Sequence, residues 1–580
     1  RDRFELVRQS PGSPALGAYA ALRLAQIDFD TREFAKARDG ARKVQADAAA
    51  SAEMRAAALV LGGEAAYWAR DYAQAAAAYN GFLSAYPSYP QAPMASLALG
   101  WAELRGGRPE AARQRWTRLA QQAQTDPRAP EALVLAAELA GRAGDFAGAQ
   151  TLFDQVVDRY PSSAYTEVAM LNRAILAVRG GRAADALPEL GRLVQRGPVS
   201  PYVARARVTR GAALLATGKP VEAERDFQAA LGLGETGVAQ LGLGSVDFAR
   251  QQWDAAASDF AAARDAGGAV GAAASYGLAA VLFNQRKTGE FKQVAIPMLA
   301  GPVDPVTTPR LLHGLAAVAA EEKRWPEART LTLRLADQFP KYEGTQAALT
   351  SLAAAAGQGE QWPLSREMYA KLGERFPDSA TSGATRLGYA EALLRTGAAA
   401  EARRALEPGA GGAPAPAPSP RAAMLMAEAQ EATGDRAAAL DTYARAAAAA
   451  ASPKDKALGL LGQGRLLASD GKWEEARGQL EQALDAGDPA VSSEAAFRLG
   501  EGYRAAGKAE EAVDMYMTAA YLTADSPWGR RALVGAGQAL AQLKQKDAAV
   551  IVYRKLLAMS GVEPDLAEAA RRGLRALGAS

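Results

Sequence analysis

Gly471-Lys472-Trp473-Glu474-Glu475-Ala476 decides the fold, because the chain keeps returning to it. Close variants stand at Asp71-Tyr72-Ala73-Gln74-Ala75, Gly144-Asp145-Phe146-Ala147-Gly148-Ala149 and Gly507-Lys508-Ala509-Glu510-Glu511-Ala512. Aligned on the closing Ala, the copies fall at Ala37, Ala75, Ala112, Ala149, Ala186, Ala223, Ala256, Val294, Ala328, Ser365, Ala402, Ala439, Ala476, Ala512 and Ala549. Nine of the fourteen intervals are 37 residues, the others run from 33 to 38, and the irregular ones cluster between 223 and 328. A fixed period of this length marks a chain built from stacked supersecondary units.

Twelve residues before each anchor lies a second small-residue slot: Ala25, Gly63, Gly100, Ala137, Ala174, Gly211, Gly244, Leu282, Ala316, Ala353, Ala390, Ala427, Gly464, Gly500 and Gly537. Only Leu282 breaks it. Helices that cross closely need residues without bulk where they touch, and a Leu forced into such a slot costs about 1–3 kcal/mol through overpacking. One helical turn after the anchor, on the same face, come Tyr79, Trp116, Phe153, Leu190, Phe227, Phe260, Tyr369, Tyr443, Leu480, Tyr516 and Tyr553, which read as filling between repeats. Most copies close on a Pro turn, as at Tyr86-Pro87-Ser88, Tyr160-Pro161-Ser162-Ser163 and Phe376-Pro377-Asp378-Ser379. Pro stops the second helix and the Ser or Asp behind it can cap the next. Each period therefore reads helix, short turn, helix, Pro turn.

Composition agrees. A chain of 580 residues exceeds what one core supports, and an Ala-rich sequence with only 7% aromatic residues leans to helix. The 67 basic and 64 acidic residues leave a net charge of +3 with no basic block, which sets nucleic acid aside. There is no Cys and one His, His313. Zinc sites, thiol nucleophiles and His-based triads lack their residues, and a Cys-free chain suits an oxidising compartment. No apolar run reaches the roughly 18 residues of a membrane span. Gly211-Ala-Ala-Leu-Leu and Gly409-Ala-Gly-Gly lack the preceding strand and the Gly-Lys-Ser/Thr ending of a phosphate loop. No enzyme activity, cofactor or metal is expected.

Small residues at fixed places in both helices, an aromatic one turn later and a closing Pro make the chain resemble the tetratricopeptide repeat family from about Pro14 to about Ala558. Two features depart from that family: its usual repeat is shorter by three residues, and the first-helix Trp and Tyr are mostly missing here. The longer period with Tyr-Pro-x-Ser turns looks like the subgroup of bacterial cell envelopes, such as the Tol-Pal coordinator and the outer-membrane assembly lipoprotein. The resemblance implies an all-α, right-handed superhelical solenoid of about fifteen antiparallel helix pairs with a C-terminal capping helix. It also implies a non-enzymatic scaffold that holds one or more envelope proteins in the periplasm or at the outer membrane. Two other readings stay open, a cytosolic adaptor of a motility or regulatory complex and a component of polysaccharide export.

The expected organisation is as follows. Residues 1–11 form the tail helix of a preceding repeat, because Leu6-Val7-Arg8-Gln9-Ser10-Pro11 mirrors Leu193-Val194-Gln195-Arg196-Gly197-Pro198, and the native chain is expected to extend upstream. Repeats 1–6 occupy 12–233, irregular repeats 7–8 occupy 234–305 with a change of curvature, and repeats 9–11 occupy 306–408. A Pro/Ala/Gly joint fills 409–420, repeats 12–15 fill 421–560, and 561–580 hold a capping helix. In this family the first helix of each pair lines the inner wall, and one residue past the small slot the wall candidates include Trp101, Glu138, Ile175, Ser245 and Glu501. A clamp for a partner's terminal carboxylate is not expected, since the only Asn residues are 80, 172 and 284.

Overall fold

Ala-rich helices, some with side-chain caps at their starts, make up most of the chain. The computed structural model describes residues 1–10, 12–380, 382–407 and 419–579. Among the described residues every regular element is a helix and none is a strand. Most of the expected joint at 409–420 lies outside the described residues; Ser419 and Pro420 open the helix Pro420–Ala432. The array divides into two compact units, Arg1–Val294 and Ala295–Ser580. Within each, helices pair in sequence, as with Ala52–Trp68 and Tyr72–Ala85 in the first and Pro489–Ala505 and Ala509–Leu522 in the second.

Helix starts follow local chemistry. The Ser51 hydroxyl accepts from the Met54 amide at 3.2 Å, the Asp145 carboxylate from Gly148 at 2.9 Å and the Ser526 hydroxyl from Gly529 at 3.0 Å, each satisfying a donor that the helix leaves free. Helix ends are more uniform. Five residues before the anchor, at the close of every first helix, the backbone turns left-handed. Gly occupies this point at 107, 144, 181, 218, 397, 434, 471 and 507, and Arg32, Arg70, Gln251, Arg286, Lys323, Glu360 and Lys544 occupy it in the other repeats. The turn lets the next amide reach back into the finished helix, as Asp145 N does to Ala140 O at 2.9 Å. Since a Cβ in this region costs about 1–2 kcal/mol, Gly144→Ala, at φ 84°, is expected to destabilise by about that much. Lys323→Ala, which already carries a Cβ, should be nearly neutral in the same denaturant titration.

The left-handed turn also corrects the eighth repeat. It falls at Arg286, so the anchor is Phe291 and not Val294, and the small slot is Ala279 and not Leu282. Phe291 is buried and Val294 only partly so, and Ala279 is fully buried. Large and small have changed places: Phe stands at the anchor and Ala295 one turn later. With this register the overpacking expected at Leu282 disappears, and within the first unit Thr236–Ala249 pairs with Trp253–Arg264.

The small slot makes room for a ring. A methyl group added at Gly63 would lie 2.9 Å from the Tyr79 ring, at Gly244 2.8 Å from Phe260 and at Gly500 2.7 Å from Tyr516. The slot thus faces the large residue sixteen positions on, in its own repeat. In several repeats the same ring also meets a second glycine, two before the slot of the following repeat: Gly277 against Phe260, Gly462 against Tyr443 and Gly535 against Tyr516, at 2.7, 2.6 and 2.5 Å by the same measure. Each such ring is wedged between two consecutive first helices, at contact distances that only a missing Cβ allows. At the C-terminus, Pro564–Ala576 takes the place of a further first helix, burying Ala570 and Leu574 and giving Gly573 to Tyr553.

Candidate partner-binding wall

In several repeats the residue one past the small slot lines a groove between first helices. In the first unit Gln26 and Glu64 occupy this position and line a groove of about 600 Å³ with Tyr19, Val60 and Phe82. In the second unit Ala317 lines a cavity of about 560 Å³, Ala354 and Glu391 one of about 500 Å³, and Arg465 and Glu501 one of about 780 Å³. The grooves lie between successive first helices, where ridges of small side chains leave the surface open.

The five wall candidates sit on five different repeats, four in the first unit and one in the second. All are half-buried. Trp101 packs edge-to-face on Trp116, ring centroids 5.2 Å apart, against the core of its own repeat. Ile175 lies against the core cluster that holds Leu171 and Leu190. The Ser245 hydroxyl donates to the Leu241 carbonyl at 2.8 Å. Glu138 holds the same register on the helix Ala129–Arg142. Glu501 accepts from the Tyr516 hydroxyl and, at 3.5 Å, from Arg504, and it alone of the five lines one of these grooves.

Charge on the wall is largely matched. Arg465 pairs with Glu431 at 2.5 Å and Arg421 with Glu391 at 2.5 Å. Burial raises the carboxyl groups of Glu64 and Glu428 above the usual range and lowers the His313 imidazole, which is therefore neutral at neutral pH. Two linked ion groups escaped the sequence reading. Arg173 reaches both Glu189, at 2.5 Å, and Asp154, at 2.7 Å. Buried Asp226 takes Arg207 and Arg210 together. Their signal is an Arg just before the slot with a carboxylate sixteen residues later. Among the described residues no group of three or more His, Asp or Glu is placed to hold a metal ion, and no helix is long and apolar enough to cross a membrane.

Known sequence families agree with this architecture. A tetratricopeptide repeat-like domain matches residues 101–237, a tetratricopeptide repeat matches 60–130 and 461–527, and another matches 531–561. These segments are similar to tetratricopeptide repeats, and among the described residues the array is an all-helical repeat solenoid. No curated protein matches the chain. Among solved structures it is similar to the APC/C hetero-tetramer Cut9–Hcn1, at 12% identity over 96% of both chains with a TM-score of 0.33. It is also similar to a tetratricopeptide repeat protein from Parabacteroides merdae, at 17% identity over 46% of this chain and 98% of that one, TM-score 0.32. A third is the tetratricopeptide domain of P58(IPK), at 14% identity over 77% and 98%, TM-score 0.27.

Proposed function

We propose that this chain is a non-enzymatic scaffold that binds one or more proteins along the wall of its first helices, within a multiprotein machine of a bacterial cell envelope, in the periplasm or at the outer membrane. The observation that carries the binding reading is the series of open grooves between successive first helices, each lined by the residue after a small slot. Many modest contacts spread over such a wall add up to useful affinity. The envelope assignment is supported by the resemblance of the 37-residue period and its Tyr-Pro turns to envelope scaffolds. Photo-crosslinkers placed in the intact chain at Gln26, Glu138 and Glu501 should capture a protein that crosslinkers at the exposed second-helix residues Arg42 and Arg445 do not. Equal capture from both sets would overturn the wall reading. Fractionation that recovers the protein in the cytosol would overturn the envelope assignment and leave the wall standing.

A further inference from the structure

A groove of a different kind lies away from the first-helix wall. It has a volume of about 430 Å³ and is formed in the first unit by Ala183–Gln195, Val203–Ala216 and Pro220–Leu231. Leu187 and the buried Leu214 give it an apolar side, and charged groups line the rest: Arg207, Arg210, Lys219 and Arg225 against Glu222 and Asp226. The excess of positive charge is regional. From Arg173 to Asp226 stand ten Lys or Arg and five Asp or Glu, a net +5 in a chain whose total is +3. Spread singly along the sequence, the four lining cations meet in one groove only in the fold. None of the lining residues stands one past a small slot, so this surface is separate from the wall.

Two features leave that charge available. The first is at the seam between consecutive second helices, where the residue after one anchor meets the residue four before the next. At three seams the two pair: Arg38 with Asp71 at 3.6 Å, Arg113 with Asp145 at 3.5 Å and Arg403 with Asp435 at 3.2 Å. Here the same positions hold Leu187 and Lys219, so the ammonium finds no carboxylate at its seam. Lys219 and Arg225 are both exposed, and among the described residues neither side chain makes an ion pair or hydrogen bond. The second feature is Asp226. Buried, it holds Arg210 by Nε and Nη2 and Arg207 by Nη1, which fixes both guanidinium groups and leaves Arg210 Nη1 and Arg207 Nε and Nη2 without protein partners. Guanidinium donors held in place suit a planar carboxylate. We propose that this groove docks an acidic segment of a partner protein. Its carboxylates meet Arg207, Arg210, Lys219 and Arg225, and an apolar side chain between them rests on Leu187 and Leu214. The proposal goes beyond the wall reading by giving the scaffold a second surface, selective for charge.

A fluorescein-labelled peptide of alternating glutamate and leucine, added to the intact chain and followed by fluorescence anisotropy, is a suitable probe. It should bind saturably and weaken as salt is raised. The same peptide with glutamine in place of glutamate should bind about tenfold more weakly or worse. Lys219→Glu combined with Arg225→Glu should weaken the acidic peptide by about tenfold or more at an unchanged melting temperature, since both residues are exposed and unpaired. Lys36→Glu combined with Arg42→Glu reverses two exposed cations on the second helix of another repeat, makes the same change in net charge and should leave binding unchanged. Absence of saturable binding, equal binding of the glutamine peptide, or equal losses from the two double reversals would each overturn the proposal. A single-stranded oligonucleotide that displaces the peptide and binds more tightly would overturn it in favour of nucleic acid. The wall is judged separately. Peptide binding that depends on Lys219 and Arg225 while wall crosslinkers capture no protein keeps the groove and removes the wall, and the opposite pair of results does the reverse.

Discussion

Trp116→Ala is expected to destabilise the protein by about 3–5 kcal/mol, the cost of emptying a large buried aromatic site. Trp116 is fully buried, its indole N–H donates to the Leu97 carbonyl at 3.1 Å, and its ring packs on Trp101. Deletion leaves a cavity and a loose Trp101. In an array whose repeats touch only their neighbours the damage stays local. Hydrogen exchange should therefore accelerate in Ala92–Arg105, Pro109–Gln122 and Ala129–Arg142 and remain unchanged in Pro527–Gln542. Even acceleration along the whole chain would contradict this account.

Asp226→Ala should cost nearly as much, about 3 kcal/mol, because it strands two cations. The carboxylate is buried on Pro220–Leu231 and accepts from Arg210 Nε and Nη2, each at 2.6 Å, and from Arg207 Nη1 at 3.1 Å. Both Arg side chains keep about a quarter of their surface in water, 27% and 25%, which places the loss at the lower end for buried pairs. The exposed pair Arg329–Glu367, equally close at 2.5 Å, serves as the control. Glu367→Ala should cost at most about 1 kcal/mol. Denaturant unfolding of the two variants side by side measures the contrast, and equal losses would mean that burial of Asp226 carries no weight.

The periodic features were legible because they obey steric rules that every copy must meet. Gly63, Gly100, Gly211, Gly244, Gly464, Gly500 and Gly537 sit where a Cβ would strike a ring or, at Gly464, a Leu. Ala75, Ala112, Ala149, Ala223, Ala256, Ala476, Ala512 and Ala549 are fully buried, as is Ala137. What failed was the eighth repeat, where Phe291 stands at the anchor that is small elsewhere and Ala295 at the large position one turn later. An alignment that demands a small anchor slides past such an exchange. The left-handed turn would have fixed the register, yet seven of the fifteen turns use Arg, Gln, Lys or Glu, residues with no preference for that conformation. The second row of small residues was overlooked because each member serves the preceding repeat, so its meaning lies across a boundary. Wall positions followed from the period, but their depth did not. Trp101 reads as an exposed anchor from its register alone and is drawn onto Trp116 by packing.

A ring carried by one repeat and received by the next gives the array a direction. Phe260 belongs to a second helix and closes on Gly277 of the helix that follows, as Tyr443 does on Gly462. At these seams a unit can be exchanged as a cassette only for one that keeps the ring at its end and the glycine at its start.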